Sequence, residues 1–174
     1  MQRSYPDPLA LSQTLLRVLI IVNLIVGGLI GNLLIASLIA EGWVMRALGV
    51  PASLSSSELF IRMRLIMVVG ICSVPIIHFI LKRLWMIVKT VSTGDPFVAD
   101  NAARLQAIAW ALLALELTHY VVGAVALSIS SAGVPLKIGW GVSVTRWLAV
   151  LLLFVLARVF EQGARMRADL EGTV

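Results

Sequence analysis

Residues 18–40 carry no charged side chain, and this uninterrupted apolar run constrains the fold more than any other feature of the chain. A helix needs about 20 apolar residues to cross the roughly 30 Å hydrocarbon core of a bilayer. The run lies between Arg17 and Glu41 and therefore predicts a transmembrane helix. A secretory signal is the competing interpretation. Its apolar region is usually about 7–15 residues long, which favours an uncleaved helix.

Three further apolar runs follow, at about residues 65–81, 105–131 and 141–157. The second run is short, but arginine and lysine at both of its ends can extend their side chains to the headgroups. Pro75 lies inside it and removes one backbone hydrogen bond, which predicts a kink and not a break. With 60% apolar and 13% charged residues overall, the chain leaves no room for a soluble catalytic domain.

The four runs predict an all-α integral membrane protein whose four transmembrane helices form one antiparallel up-down bundle over residues 1–174. A short interfacial turn is expected at residues 43–48. A cytoplasmic elbow at 92–100 and a cytoplasmic tail at 159–174 are the main segments outside the bilayer. The predicted helices cover about residues 12–40, 57–91, 100–131 and 141–166.

The orientation follows from the lysines and arginines near the spans, which are enriched on the cytoplasmic side. A cytoplasmic amino terminus places nine of the fourteen inside: Arg3, Arg17, Lys82, Arg83, Lys89, Arg104, Arg158, Arg165 and Arg167. The other five then lie outside: Arg46, Arg62, Arg64, Lys137 and Arg146. Both termini are therefore expected in the cytoplasm.

The net charge of +5 does not indicate direct nucleic-acid binding, because the basic residues are scattered at the ends of apolar runs. The lipid bilayer, with its anionic headgroups, is the expected partner. Cys72 is the single cysteine, so an intrachain disulfide is excluded. It is expected to be a small buried residue. No motif for a cofactor or a metal ion is apparent.

The elbow sequence "STGDPFVADNAARL" reads as a capped turn between two helices. Gly94 suits the C′ position, where the left-handed backbone favours glycine, and Pro96 prevents the helix from continuing. Asp100 or Asn101 is expected to cap the next helix, and Asp100 and Arg104 have the spacing of a favourable surface pair. A capped turn accounts for these residues, and a docking surface for a cytoplasmic partner is the alternative.

The tail "RVFEQGARMRADLEGTV" mixes both signs of charge with apolar side chains. Glu161 and Arg165 are four residues apart, which predicts an ion pair on a solvated helix end. The alternative is that Phe160, Met166 and Leu170 bind a cytoplasmic protein.

The segments "GDPFVADNAARLQAIAW" and "LARVFEQGARMRADLEGTV" resemble the small bacterial membrane proteins of domain-of-unknown-function family 2975. Arg158 departs from the pattern, because members often have Glu before "VF". The residues that carry the resemblance are Gly94, Pro96, Phe97, Asn101, Arg104, Leu105, Val159, Phe160, Gly163, Ala164 and Arg165.

The resemblance implies four helices in the bacterial inner membrane, no cofactor and a membrane partner for a small helix-turn-helix regulator. The residues expected to dock such a partner are Asp95, Pro96, Phe97, Asn101, Arg104, Phe160 and Arg165.

Glu116 and His119 are ionisable residues near the middle of the third apolar run. Such a residue costs about 2.5–3.5 kcal/mol in a bilayer and should face other helices. One face of this helix is expected to pack inward, and it consists of Ala109, Leu112, Glu116, His119, Gly123, Ala126 and Ser130.

Glu-x-x-His is the spacing of dinuclear carboxylate sites, but those need a second copy and further carboxylates, and this chain has no second carboxylate at membrane depth. Three other uses stay open: a mononuclear metal site with His78, a proton or ion relay, and a hydrogen-bonded cluster in which Glu116 is neutral or paired with Arg146. Gly27 and Gly31 in the first run, like Gly123, are expected to allow close helix packing.

The sequence thus predicts a non-enzymatic membrane protein that serves as a regulatory or interaction partner of a cytoplasmic protein. A proton-coupled or small-solute transporter subunit, which uses Glu116 and His119 and would need a homo-oligomer to form a pathway, is the alternative.

Overall fold

A computed structural model of the chain describes residues 8–47, 57–94, 96–130 and 141–171. Within these ranges the chain is helical apart from short turns, and no β-strand occurs there. The helices in chain order are α1 Pro8–Ile39, α2 Glu41–Ala47, α3 Ser57–Ser92, α4 Ala99–Ser130 and α5 Val144–Glu171. The all-α prediction is therefore confirmed for the part of the chain that the structure describes.

The observed helices differ from the predicted segments mainly at their ends. α1 starts four residues before the predicted 12, α5 starts at Val144 instead of 141, and α5 continues to Glu171. The turn expected at 43–48 is the short helix α2. α3 continues through Pro75 to Ser92, so the proline does not break it.

Three of the helices are long and apolar enough to cross a membrane: Leu9–Ile39, Ser57–Ser92 and Ala99–Ser130. Their outer faces carry large apolar side chains, and Ile21, Leu29, Ile61 and Leu117 are each more than half exposed. A bilayer solvates such faces, and a helix satisfies its own backbone hydrogen bonds there. These features are those of a membrane protein.

Cys72 is exposed, and the expectation that it is buried was wrong. It lies on a stripe of exposed α3 residues that recurs every three or four positions and includes Leu65, Val68 and Phe79. This spacing keeps all four side chains on one helix face. That face is the exposed one, which is where Cys72 lies.

Helix α5 has a shorter uncharged stretch than the other three long helices. Residues 147–157 lie between Arg146 and Arg158 and, at about 1.5 Å per residue, cover roughly 16 Å. This length is about half of a roughly 30 Å hydrocarbon core. If α5 crosses the membrane, both arginines must extend their side chains toward the headgroups. The fourth transmembrane helix therefore stays a prediction.

The chain divides into two compact units, to which α1, α3 and α4 each contribute. The elbow unit comprises Met1–Asn23, Ile77–Ala114 and Val144–Val174. The α2 unit comprises Leu24–Ile76 and Leu115–Ser143.

The core of the elbow unit joins α3, α4 and α5. Ile87, Leu105, Ile108 and Ala157 are buried against one another, and Phe160 packs against this cluster. Leu105 and Ile108 are three residues apart, so they lie on the same face of α4. The elbow between α3 and α4 is thereby held next to α5.

The core of the α2 unit centres on Leu59 of α3 and Ile129 of α4. α1 also approaches α3 closely here, because a Cβ at Gly27 would lie 2.9 Å from a methyl carbon of Val74. A Cβ at Gly31 would meet no described atom within 4 Å. Gly27 is therefore the glycine of α1 that lies against α3, and Gly31 has no such contact with a described residue.

Two arginines of α3 bind backbone carbonyls at the ends of other helices in the α2 unit. Arg62 Nη1 donates to the Ser128 carbonyl at 2.6 Å, and Arg64 Nη2 donates to the Ser37 carbonyl and to Glu41. Each carbonyl belongs to the third residue from the end of its helix. The last four carbonyls of a helix lack partners within it, so the arginines satisfy groups that would otherwise need water.

Candidate functional site

The elbow starts with a glycine that ends α3. The Gly94 N–H donates to the Val91 carbonyl at 3.1 Å, and the φ angle of Gly94 is 89°. Residues with a Cβ rarely adopt this left-handed conformation. The prediction that Gly94 occupies the C′ position is therefore confirmed.

Asn101 connects the two helices of the elbow. Its side chain is fully buried. Nδ2 donates to Thr90 Oγ1 at 2.7 Å and to the Pro96 carbonyl at 2.9 Å, while Oδ1 accepts a hydrogen bond from Arg104 at 2.8 Å. A buried amide is destabilising unless its donors and acceptor are bonded. Asn101 thus ties the end of α3, the elbow backbone and the first turn of α4 together.

The first turn of α4 differs from the predicted cap. The helix begins at Ala99, so neither Asp100 nor Asn101 is the N-cap residue, and that expectation was wrong. Asp100 is largely exposed and pairs with Arg104 at 3.3 Å, as the four-residue spacing predicts. Its carboxylate also lies near the positive end of the helix dipole.

An aromatic contact holds the elbow against α5. The ring centroids of Phe97 and Phe160 are 5.2 Å apart, with an angle of 38° between the rings. Phe97 also lies over Gly163, where a Cβ would be 2.8 Å from Phe97 Cδ1. Only glycine admits the ring this closely. Phe97 nevertheless remains 44% exposed, so one part of the ring faces outward.

The residues expected to dock a partner fall into two groups. Phe97 and Arg165 lie at the surface, whereas Asn101 is buried and Arg104 is largely covered. Asn101 is therefore part of the scaffold of the elbow and not of its surface. Pro96 is half-buried and supplies the carbonyl that Asn101 binds. Asp95 lies outside the described residues.

Glu161 on α5 pairs with two arginines. Its Oε2 accepts from Arg158 Nη1 at 2.7 Å, and its Oε1 accepts from Arg165 Nη2. The hydrogen bond and the charge of Arg158, with a smaller contribution from Arg165, lower the pKa of Glu161 below its ordinary value of 4.5. The predicted pair with Arg165 is present, and Arg158 is a partner that its spacing also permits.

A groove of about 550 Å³ lies between α4 and α5 next to the elbow. Gln106 and Phe154 line it together with the ion triplet formed by Arg158, Glu161 and Arg165. The rest of the lining is alanine: Ala99, Ala102, Ala103, Ala157, Ala164 and Ala168. We refer to this feature as the α4–α5 groove.

The ionisable residues expected at membrane depth are divided between the two units. Glu116 and His119 belong to the α2 unit, whereas His78 and Arg146 belong to the elbow unit. Glu116 is only 6% exposed. Nε2 of His119 and Nδ1 of His78 are enclosed without a hydrogen-bond partner among the described residues. The proposed cluster of these four side chains stays a prediction.

The inward face of α4 is largely as expected. Ala109, Glu116, Gly123 and Ala126 are buried, and Ser130 at the helix end is exposed. Within the described ranges, no three His, Cys, Asp or Glu side chains come together as a metal site.

The match to a family model decides the family of the chain. The model described as "Protein of unknown function (DUF2975)" matches residues 43–174. The chain belongs to the DUF2975 family. A search of curated proteins and a search of solved structures gave no match. The matched range includes the elbow, all of α5 and the α4–α5 groove, so these features lie in the part of the chain that defines its membership.

The sequence of this DUF2975 protein contains an alanine pattern that indicates the lining of the groove. On α4, Ala102 and Ala103 follow Ala99 by three and four residues, and on α5, Ala164 and Ala168 follow Ala157 by seven and eleven residues. Such spacing places them on one face of each helix. That these two faces adjoin follows only from the packing of α4 beside α5.

We predict that Asn101→Leu lowers the free energy of unfolding by about 2–4 kcal/mol, because it removes the three hydrogen bonds of a buried side chain, to Thr90, the Pro96 carbonyl and Arg104. Denaturant unfolding of the full chain in micelles measures this effect. Asp100→Asn is the matched control and should cost less than about 1 kcal/mol, since it removes an exposed ion pair. Equal effects of the two changes would contradict the role of Asn101.

We predict that Arg158→Gln raises the pKa of Glu161 toward 4.5 more than Arg165→Gln does. NMR titration of the Glu161 carboxyl checks this order. Because the folded pKa is lowered, the ion triplet stabilises the helix end above the ordinary pKa, and this stabilisation is lost as the pH falls through the lowered value. Arg167→Gln serves as the control and should leave the titration unchanged.

Proposed function

We propose that this DUF2975 protein is a non-enzymatic protein of the bacterial inner membrane that binds a cytoplasmic protein through its elbow and α5. In this proposal α1, α3, α4 and α5 cross the membrane as an antiparallel bundle, and both termini are cytoplasmic. The excess of lysine and arginine on the elbow side supports this orientation.

The observation that carries the proposal is the geometry of Phe97. Its ring is fixed on one side by Phe160 and Gly163 and is 44% exposed on the other. Aromatic side chains that are rigid before binding are the ones that contribute most to protein interfaces, because little conformational entropy is lost.

The scaffold behind Phe97 supports the same interpretation. Asn101 fixes the elbow backbone between α3 and α4 through three hydrogen bonds. The surface that carries Phe97 is therefore preorganised by buried contacts. A preorganised surface loses less freedom on binding, which favours recognition of a partner.

The resemblance that the sequence carries points to a small helix-turn-helix regulator as this partner. The regulator, and not the membrane protein, would then contact nucleic acid. The membrane protein could act as a monomer or a homo-oligomer within this scheme.

We predict that Phe97→Ala reduces capture of the cytoplasmic partner from bacterial membranes at least about tenfold, as expected when an interface loses about 1.4 kcal/mol. The bait is the full chain with an affinity tag, and bound proteins are quantified by mass spectrometry. Trp43→Ala, which removes an exposed aromatic ring from the α2 unit, is the matched control. The unfolding midpoint of each bait shows whether the fold is retained. Identical captured proteins for all folded baits would contradict the proposal.

A transporter subunit is the second candidate, and the burial of Glu116 in α4 is the observation that favours it. His119 lies one turn further along the same helix. Buried acidic and histidine side chains within membrane helices mark proton and ion pathways. A chain of this size would form such a pathway as a homo-oligomer.

For the second candidate, the expected result is proton-dependent flux in liposomes that Glu116→Gln abolishes, because glutamine has a similar shape but does not exchange a proton. Phe97→Ala should leave this flux intact. Flux that persists in the Glu116→Gln protein would exclude the role of Glu116.

A further inference from the structure

Both walls of the α4–α5 groove have the periodicity of surfaces that pack against a helix. On α4 the lining residues are 99, 102, 103 and 106, and on α5 they include 154, 157, 161, 164 and 168. Apart from the adjacent pair Ala102 and Ala103, successive members are three or four residues apart, so each wall runs along the axis of its helix. On α5, residues 154–168 cover about 21 Å, or roughly four turns.

The floor of the groove consists mainly of alanine, a small residue with a high helix propensity. Six of the lining residues are alanines, and Ala103 and Ala168 are exposed within the groove. Small side chains on two neighbouring helices leave space for the larger side chains of a third helix. An amphipathic helix places such side chains along one face at the same three- and four-residue spacing.

The charges at the groove favour an acidic occupant. Arg158 and Arg165 provide two positive charges, and Glu161 provides one negative charge. Both arginine side chains are about two-thirds exposed, at 66% and 69%. Each guanidinium has five N–H groups, and one from each is bonded to Glu161. The remaining donors can bind an incoming carboxylate in the bidentate geometry that arginine favours.

Glu161 also distinguishes a helix from an anionic phospholipid. Its carboxylate lies in the lining between the two arginines, where it would repel a lipid phosphate. An acyl chain in the groove would remove water from this charge, which is unfavourable. A protein helix can avoid both costs, because it can place a polar side chain opposite Glu161 and acidic side chains opposite the arginines.

We propose that the α4–α5 groove binds an amphipathic α-helix of a cytoplasmic protein, whose large apolar side chains enter the alanine floor and whose acidic side chains pair with Arg158 and Arg165. This inference rests on the proposed function and adds to it the location of a docking site and the chemistry of the bound segment. The groove lies beside the Phe97–Phe160 contact, since Ala157, Glu161 and Ala164 flank Phe160 along α5.

The test uses the full chain in nanodiscs of neutral phosphatidylcholine and a fluorescent helical peptide of about 18 residues, or five turns. The peptide has a leucine face bordered by glutamates, and a second peptide has lysine in place of every glutamate. Fluorescence anisotropy measures the Kd. The acidic peptide is expected to bind at least about tenfold more tightly than the lysine peptide, because only carboxylates complement the arginines.

Two pairs of substitutions test the two parts of the site separately. Ala103→Leu with Ala168→Leu fills the groove from exposed positions, and Arg158→Gln with Arg165→Gln removes its positive charge. Each pair is expected to weaken binding of the acidic peptide at least about tenfold. Gln162→Leu and Arg167→Gln alter exposed α5 residues outside the lining and should change the Kd less than about twofold, as expected away from an interface.

Absence of binding by the acidic peptide, or binding that neither pair weakens, would overturn the inference. A parallel measurement places the protein in phosphatidylglycerol nanodiscs and detects retained lipid by native mass spectrometry. Phosphatidylglycerol that is retained by the original chain and released by both pairs, without peptide binding, would show a lipid site and also overturn the inference. Partner capture that depends on Phe97 but not on either pair would overturn the groove alone and leave the proposed function standing.

Discussion

The side-chain amide of Asn101 is the interaction on which the elbow and the surfaces beside it depend. A chain that reverses between two long helices leaves backbone groups without helical partners, and the Pro96 carbonyl at this reversal is bound by the Asn101 side chain. Asn101 supplies two donors and one acceptor at this point, to Thr90, Pro96 and Arg104. A single buried residue thereby fixes α3, the elbow and α4, and the side chain of Phe97 takes its position on α5 from that arrangement.

The α2 unit meets the same requirement with charged side chains. Arg62 and Arg64 extend from α3 to the last carbonyls of α4 and α1. The guanidinium group suits this role because it remains charged and carries several donors in a fixed plane. The carbonyls of Ser128 and Ser37 therefore have partners from within the protein. This is the condition under which apolar helices can end close to a bilayer.

The features on which the proposed function rests lie where α5 meets the elbow. α5 combines a short uncharged stretch with a charged end, and the ion triplet at that end borders the α4–α5 groove. Gly163 is the point at which the elbow can approach α5, because a larger residue would displace Phe97. The aromatic contact, the ion triplet and the groove thus occupy consecutive turns of one helix, which is why a single surface is proposed to bind a partner.

The local features of this protein were readable from its sequence. Apolar runs predict helices because about 20 such residues match a bilayer, and Gly94 predicts a helix end because it tolerates positive φ. The Asp100–Arg104 and Glu161–Arg165 pairs follow from helical spacing alone. Family membership was likewise recognisable from the sequences of the elbow and the tail, and the family match over residues 43–174 includes both.

Tertiary structure decided which helix faces meet. The sequence offers Gly27 and Gly31 equally, yet only Gly27 lies against Val74. It leaves open whether Asn101 caps a helix, faces a partner or is buried, and it does not show that the alanines of α4 and α5 form one groove. These outcomes depend on residues far apart in the chain and on the rotation of each helix. Spacing along one helix determines which residues share a face, but only packing determines what that face contacts.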